Sequence, residues 1–495
     1  MESGPCAKHH LGGEESFVFP TPGGPVELKV TDDALTPYGG LVPWAAFARK
    51  CGVIEQLAST CPHRRRSPNA AKIYDVLQSF MLTVLVDGRR FSHVGRLRED
   101  PTVCELFGMD KVVGDDTIRR FMGSLDEQVA AAWVAQAAQP LWAALPERLI
   151  LDWDSTVQTK YGHQQGAEVG YNPSKRGRKS FHPLLAVAAG TRLCPVYRFR
   201  SGNSVSATQW QEACAEAQQC LGKRQVWLNR GDIGFGQEKI MAWHESPEAE
   251  QARPHYLFKL KVSANLKRAM AKIPADLWQG EESLGVWQVA EAQVQLPSWS
   301  ARRRVVFARK LQGVVSAQEG GTFWKEYKHE IAIYVTDLPL EQANAWQIMA
   351  LYRERADAEN VFDEIKNQWG FNGFCAQNQR VSALAARLLL LTYNLWNLFL
   401  RLLEPRRHVE ALGGRRWFLL IAARLVRSGR QKGLQVCVQG AWWQQLKDGY
   451  QRLGRWLALT APQLAEATGW MLEEPIANRK NSGRKSAKPR SNCGI

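Results

Sequence analysis

Cysteine is scarce and unpatterned: ten residues in a chain of 495, with no C-x-x-C pair and no regular spacing. This argues against a disulfide framework or a zinc ribbon and fits a reducing cytosol. The opening stretch, MESGPCAKHHLGGEE, carries no apolar h-region, so no signal peptide is expected there. Long hydrophobic runs are lacking as well. The greasiest, LLLLTYNLWNLFL at Leu388–Leu400, lies between Arg387 and Arg401 and contains a threonine and two asparagines. It is too short to span a bilayer and reads as a buried helix. No internal repeat is found. Acidic residues are in deficit, 48 Asp+Glu against 64 Lys+Arg, which leaves a net charge of +16 and a pI of about 9.5. So basic a chain suits a polyanionic partner, and without a membrane segment nucleic acid is the better one.

What is present is an ordinary apolar share of 45%, enough for sizeable cores, in a chain long enough for more than one domain. Residues 1–40 are rich in glycine and proline and read as loose. Residues 41–145 are patterned as helices and form a candidate DNA-binding domain. In AKIYDVLQSFMLTVLVDG, Ile73, Leu77, Phe80 and Val84 share one face. Asp115 or Asp116 is a plausible N-cap for a helix carrying Ile118 and Phe121, with Arg119 and Arg120 exposed. From 146 to 262 strands alternate with helices, which predicts the first part of an α/β catalytic core. Residues 263–330 read as a β-rich insertion, 331–404 as the second part of the core, 405–475 as helical and 476–495 as a basic disordered tail.

Three acidic positions stand where chemistry is expected. Asp152 and Asp154 alternate with Leu151 and Trp153 along a predicted strand, so both carboxylates share one face. Asp232 ends an apolar strand and precedes Ile233-Gly234-Phe235. Ligands of open α/β sheets bind at strand ends. The plainer readings are an Asx-turn from Asp154 to Thr156 and a turn or helix N-cap at Asp232. The third position lies in LYRERADAENVFDEIKNQWG, Leu351–Gly370. If that is one helix, Tyr352, Arg355, Glu359 and Lys366 fall within roughly 60° of each other on the wheel. Leu351, Ala358, Phe362, Ile365 and Trp369 form a core stripe beside them. Read plainly, this is a solvated face with an Arg355–Glu359 ion pair. Asp154, Asp232 and Glu359 together supply hard oxygen donors that suit Mg²⁺ or Mn²⁺. A pair of such ions can activate an attacking oxygen and stabilise the leaving oxygen of a phosphodiester. Tyr352, Arg355 and Lys366 would then contact backbone phosphates.

These motifs resemble the DDE transposases of bacterial insertion sequences, in the subgroup marked by Tyr-x₂-Arg-x₃-Glu-x₆-Lys. Tyr352, Arg355, Glu359 and Lys366 match that signature without a gap. Asp154-Ser155-Thr156 matches the first Asp motif, with Asp152 the alternative first ligand, and Asp232-Ile233-Gly234-Phe235 matches the second. The resemblance spans about Leu149 to Leu403. It implies a ribonuclease-H-like mixed sheet with flanking helices and a β-rich insertion before the last catalytic helix. The α-helical N-terminal domain stands beside it. It implies catalysis by Asp154, Asp232 and Glu359 with Mg²⁺ or Mn²⁺, two ions in all. The reaction would nick the element's end, and the freed 3′-hydroxyl would attack a second phosphodiester. Joining two ends implies at least a dimer on DNA, in the bacterial cytoplasm at the nucleoid. Competing readings are a nuclease of the same fold that does not join, and a transposase-derived DNA-binding protein without chemistry.

Four further features complete the reading. Lys175, Arg176, Arg178 and Lys179 in GYNPSKRGRKSFHP are expected to contact the DNA backbone. Trp287, Trp299 and Trp324 lie in the insertion with Arg302–Arg304; in relatives an insertion aromatic can stack on a flipped base, although each tryptophan taken singly suits a core. Arg64–Arg66 suit either DNA or a solvated linker. His163 and His182 receive no role.

Overall fold

The computed structural model describes residues 8–11, 14–63, 67, 69–246, 253–319, 322–429 and 431–459. Its centre is an eight-stranded sheet. The first five strands are β1 (Arg148–Ser155), β2 (Leu184–Ala188), β3 (Leu193–Arg198), β4 (Gln225–Gly231) and β5 (His255–Lys259). They stand in the order β3-β2-β1-β4-β5, with β1, β4 and β5 parallel and β2 alone reversed, antiparallel to both β1 and β3. This is a ribonuclease-H-like sheet, the α/β class expected from the sequence. A helix, Trp210–Leu221, forms the crossover from β3 to β4, as a parallel pairing requires.

The β-rich segment lies where expected, but it is not a separate layer. Its strands are β6 (Trp287–Val294), β7 (Arg303–Glu319) and β8 (Thr322–Thr336). The end of β8 pairs antiparallel with β5, Leu257 opposite Thr336, so the insertion extends the core sheet. β8 is one long strand that runs from the insertion into the part of the chain expected to form the second half of the core.

Behind the sheet runs α1 (Gln379–Leu403). By length and composition alone it could cross a membrane, yet its whole apolar window is buried in the protein. Its polar residues explain why it is at home there. The Asn394 amide accepts from Cys194 N (2.8 Å) and donates to Cys194 O (2.8 Å), so one side chain satisfies both backbone groups of an edge-strand residue. Arg387 donates to Tyr197 O (2.7 Å) and Glu216 (3.1 Å). A buried polar group is tolerated when it is paired in this way.

Four expectations from sequence need correction. Residues in the N-terminal stretch expected to be loose form a three-stranded antiparallel sheet, Lys8–Leu11, Glu14–Thr21 and Gly24–Lys29. The Pro/Gly-rich PTPGGP is its hairpin turn, with Gly24 at φ +111°, and Phe17 faces Leu28 across the pair. The C-terminal region is not all helical. Ala423–Ser428 and Gln431–Val436 form a hairpin around Gly429 (φ +59°) that also pairs with Leu35–Thr36. Finally, the helix at Asp115–Gly123 is N-capped by Gly114. Asp115 and Asp116 sit in its first turn and pair with Arg119 at 2.9 and 2.5 Å. The helix at Ile73–Leu85 is buried nearly all round, not on one face. Arg64–Arg66 and the tail 476–495 lie outside the described residues.

Replacing Asn394 by leucine would leave the Cys194 N–H and C=O buried without partners. The expected cost is roughly 1–3 kcal/mol for each group, read as a lower melting temperature by scanning calorimetry. An unchanged transition would show that neither bond contributes.

Candidate active site

Parallel pairing of β1 with β4 sets Trp153 opposite Gly231. The next residues, Asp154 and Asp232, therefore leave adjacent strands side by side at their C-terminal ends. Asp232 is held by a tight turn. Its Oδ1 accepts from Gly234 N at 3.0 Å, and its carbonyl accepts from Phe235 N at 3.0 Å. Phe235 is fully buried, edge-on to Trp210 at 5.6 Å. A Cβ at Gly231 would lie 2.6 Å from the Phe235 ring, and one at Gly234 would lie 2.5 Å from Ser206 Oγ. The Gly-Asp-x-Gly-Phe run is thus a turn with an anchor, and the turn role and a functional role for Asp232 coexist. At Asp154 the Asx-turn to Thr156 does not form, because Thr156 N donates to Pro183 O (3.1 Å).

Arg230 sets Asp152 apart from Asp154. Register places Arg230 directly opposite Asp152. Both are 1% exposed and form a bidentate pair, Nε–Oδ1 2.6 Å and Nη2–Oδ2 2.7 Å. A carboxylate whose two oxygens are both engaged by one buried guanidinium is not open to a cation. Asp154 is half-buried. Burial raises its pKa to about 6; the neighbouring Asp232 carboxylate also raises it, while Arg355 and Lys366 oppose the shift.

The stretch Leu351–Gly370 is not one helix. It divides into α2 (Ala345–Arg353) and α3 (Ala356–Gln368), with a turn at Glu354-Arg355. In a continuous helix Leu351 O would accept from Arg355 N. Here Arg230 Nη1 donates to Leu351 O, and Arg355 N bonds to Tyr352 O instead (3.0 Å). An orphan carbonyl at a helix end has been capped by a side chain from the sheet. The single-wheel geometry therefore fails. Arg355 is 3% exposed and reaches Trp153 O (2.9 Å) and Glu359 (3.1 Å). Its burial opposes its charge, but Tyr352 and the carboxylates of Asp154, Asp152 and Asp232 outweigh it, and its pKa is raised. Tyr352 packs on Tyr334 (ring centroids 4.8 Å), and burial raises its pKa. Glu359 stays outside, its side chain 68% exposed in the pair with Arg355. Lys366 is half-buried with its charge acting on Asp154. The core stripe behaves as the pattern predicts: Leu351, Ala358, Phe362, Ile365 and Trp369 are buried.

Asp154, Asp232, Arg355 and Lys366 thus share one electrostatic neighbourhood. Hard oxygen donors on two adjacent strand ends, one with its charge disfavoured by burial and by the other, suit a divalent cation. Among the described residues no three His, Cys, Asp or Glu side chains form a ready metal cluster, and the Glu359 carboxylate is paired with Arg355. The sequence reading missed Arg230 entirely; the available signal was a charged residue inside an apolar strand, VWLNRG, beside another with an unexplained Asp.

Away from this centre, Lys175, Arg176, Arg178 and Lys179 are all exposed at the turn and returning strand of a hairpin, Glu168–Val169 with Lys179–Phe181, in a small three-stranded sheet that follows β1. Trp287 is half-buried, with Lys310 and Arg353 5.0 Å from its ring, and Trp299 is buried with Arg303 at 5.3 Å. The Trp324 side chain lies outside the description. Arg302 is exposed, whereas Arg303 and Arg304 are paired with Glu238, Glu245 and Glu291. His182 is buried with Nδ1 2.7 Å from Ser204 O, and His163 is exposed.

A family model described as transposase DDE domain group 1 matches residues 20–457. Six solved chains are similar. One is a cryo-EM structure of a piggyBac transposase synaptic complex with hairpin DNA, at 11% identity and a TM-score of 0.38, over 92% of this chain and 91% of that one. No curated protein matches.

Two neighbouring substitutions are expected to act in opposite directions. Asp152→Asn breaks a buried ion pair and should cost about 3–5 kcal/mol. Asp154→Asn should raise the melting temperature at pH 7 in metal-free buffer. The folded pKa of Asp154 lies above its unfolded value of about 4, so its favourable contribution is complete below that value and lost as pH rises through about 6. The gain should therefore vanish near pH 4. Calorimetry across that range checks both, and a destabilised Asp154→Asn at pH 7 would contradict the electrostatic picture.

Proposed function

We propose the following chemistry for this chain, which belongs to the DDE transposase family and is therefore a transposase acting on DNA. Water attacks the phosphodiester at the end of the element, breaking the bond to the 3′ oxygen and leaving a 3′-hydroxyl. That hydroxyl attacks a second phosphodiester; one P–O bond forms as another breaks, so no external energy is needed. The observation that carries the reading is the placement of Asp154 and Asp232 abreast at the ends of paired parallel strands, inside the matched region.

Asp154, Asp232 and Glu359 would hold the divalent cations typical of the family, Mg²⁺ or Mn²⁺, two in number. When bound, such ions supply charge stabilisation to the attacking and leaving oxygens. The protein's own groups do the rest. Arg355 is a positioning residue: from a buried anchorage on Trp153 O it fixes where the Glu359 carboxylate sits. Tyr352 and Lys366 border the carboxylates, and Lys366 is the group of the signature best placed for a phosphate. Lys175, Arg176, Arg178 and Lys179 would take the DNA backbone further along, and the helical region 41–145 would add to the grip on DNA. Joining two ends requires at least two copies on DNA. The cytoplasm at the nucleoid is the compartment that fits.

Purified protein mixed with a labelled duplex of the element's end should nick it at the boundary only when Mg²⁺ or Mn²⁺ is added. Asp232→Ala and Glu359→Gln should each lower that rate at least about a thousandfold, equivalent to about 4 kcal/mol of barrier, with DNA binding nearly intact. Cutting by either variant at the wild-type rate would refute the assignment; binding without cutting by the wild type would favour a transposase-derived binding protein. Removing all four hairpin cations should reduce the slope of log K against log[salt] by about 3–4, at roughly 0.9 for each phosphate no longer neutralised. An unchanged slope would place DNA elsewhere.

A further inference from the structure

We propose that Tyr161, with Lys175 and Arg178, is a stacking platform for one unpaired base of the DNA beside the cleavage site. The inference rests on the reading of this hairpin as a DNA contact and says which part of DNA it takes. Tyr161 is 69% exposed, a high figure for a large ring in a folded chain. Lys175 Nζ lies 5.5 Å and Arg178 Cζ 5.8 Å from its ring centroid. An aromatic face and two cations thus stand within one nucleotide's reach of each other.

The backbone, not the ring, holds the two cations in place. The Asn172 side chain accepts from Lys175 N (2.9 Å) and donates to Thr159 Oγ1 (2.9 Å). Arg178 N donates to Lys175 O (3.2 Å), and Gly177 takes φ +74° to close the turn. Lys160 N donates to Lys179 O (2.8 Å), which fastens the residue before Tyr161 to the returning strand. The far side of the loop is tied to the body by Gln165 N on Gln377 O (2.8 Å). A ring presented open on a braced loop is pre-organised, so little freedom is lost when a base covers it.

A nucleotide carries a phosphate and a base on one sugar. With its phosphate on Lys175 and Arg178, its base is brought to the ring. Bases inside a duplex already have both faces stacked, so the ring can take only an unpaired one, and every base has a π-face to offer. Tyr161 follows Asp154 by seven residues, at most about 25 Å of chain. The nucleotide in question therefore lies within about seven steps of the phosphodiester being cut, at roughly 3.4 Å for each, where an end is frayed or single-stranded.

The test uses full-length protein in EDTA with two probes of one sequence: a fully paired duplex, and a duplex with a short 3′ overhang whose first unpaired base is 2-aminopurine. Wild type should quench the overhang's fluorescence. Tyr161→Ala should lose the quench and bind the overhang roughly five- to a hundredfold more weakly, with duplex affinity unchanged. Tyr161→Phe should keep both, because stacking needs the ring and not the hydroxyl. Lys175→Ala with Arg178→Ala should weaken both probes and flatten the salt dependence. Equal losses on both probes in Tyr161→Ala would make the ring a brace for the hairpin and overturn the proposal, as would no loss at all. Wild type that bound neither probe would overturn the DNA reading of the hairpin itself. Cleavage plays no part in the readout, so a failure of the metal chemistry is seen separately.

Discussion

Arg230 performs two tasks from one buried position, and the geometry of the site depends on both. Its guanidinium neutralises Asp152 in a bidentate pair across β1 and β4, and its remaining nitrogen caps Leu351 O at the end of α2. A buried ion pair of this kind contributes little net stability against a well-packed apolar pair, but breaking it leaves a stranded charge. What it secures is register. Asp154 and Asp232 are abreast only while β1 and β4 keep the pairing that sets Asp152 against Arg230. The same residue ends α2 early, which turns Arg355 inward toward Trp153 and gives α3 a new direction. Arg230 thus touches both the strand pair that carries Asp154 and Asp232 and the helix break that precedes Glu359.

The electrostatics of the centre follow from that placement. Two carboxylates at neighbouring strand ends repel, and one of them is half-buried, so its charged form is disfavoured. Arg355 and Lys366 relieve part of this, and Arg355 is itself held charged by the acids around it. The arrangement stores an excess of negative charge that a divalent cation can relieve and that a proton relieves less well at neutral pH. Glu359, on the exposed side of α3, is kept near by a single ion pair instead of being locked into the core.

Net charge alone overstates the surface available to DNA. Many of the chain's cations are engaged inside it. Arg200 and Arg415 are buried against backbone carbonyls, Arg303 and Arg304 are paired with glutamates, and Arg309 lies 4.1 Å from the Trp278 ring. Lys175, Arg176, Arg178 and Lys179 differ in being exposed together on one short hairpin that follows β1. A charge cluster that is both exposed and braced contributes more to phosphate binding than its share of the total suggests.

Local chemistry made much of the protein legible in advance. The strand containing Asp152 and Asp154, the Asp232 turn with its Gly and Phe, the core stripe of α3 and the buried nature of α1 all follow from period, turn residues and polarity over a few neighbours. Those signals are short-ranged, so sequence alone determined them. Other decisions are made by residues far apart in the chain. Whether Asp152 or Asp154 is free depends on Arg230, 78 residues beyond Asp152. Whether Leu351–Gly370 is one helix depends on the same arginine, 121 residues before Leu351. The pattern of that stretch fits an unbroken helix, because helix propensity does not register a capping group that arrives from another strand. Likewise, PTPGGP reads as looseness until its flanks pair as a hairpin, and the insertion's place in the main sheet is visible only once β8 lies against β5. Periodicity and turn chemistry fix elements; strand register and side-chain capping across the sheet, which no local window contains, fix the site.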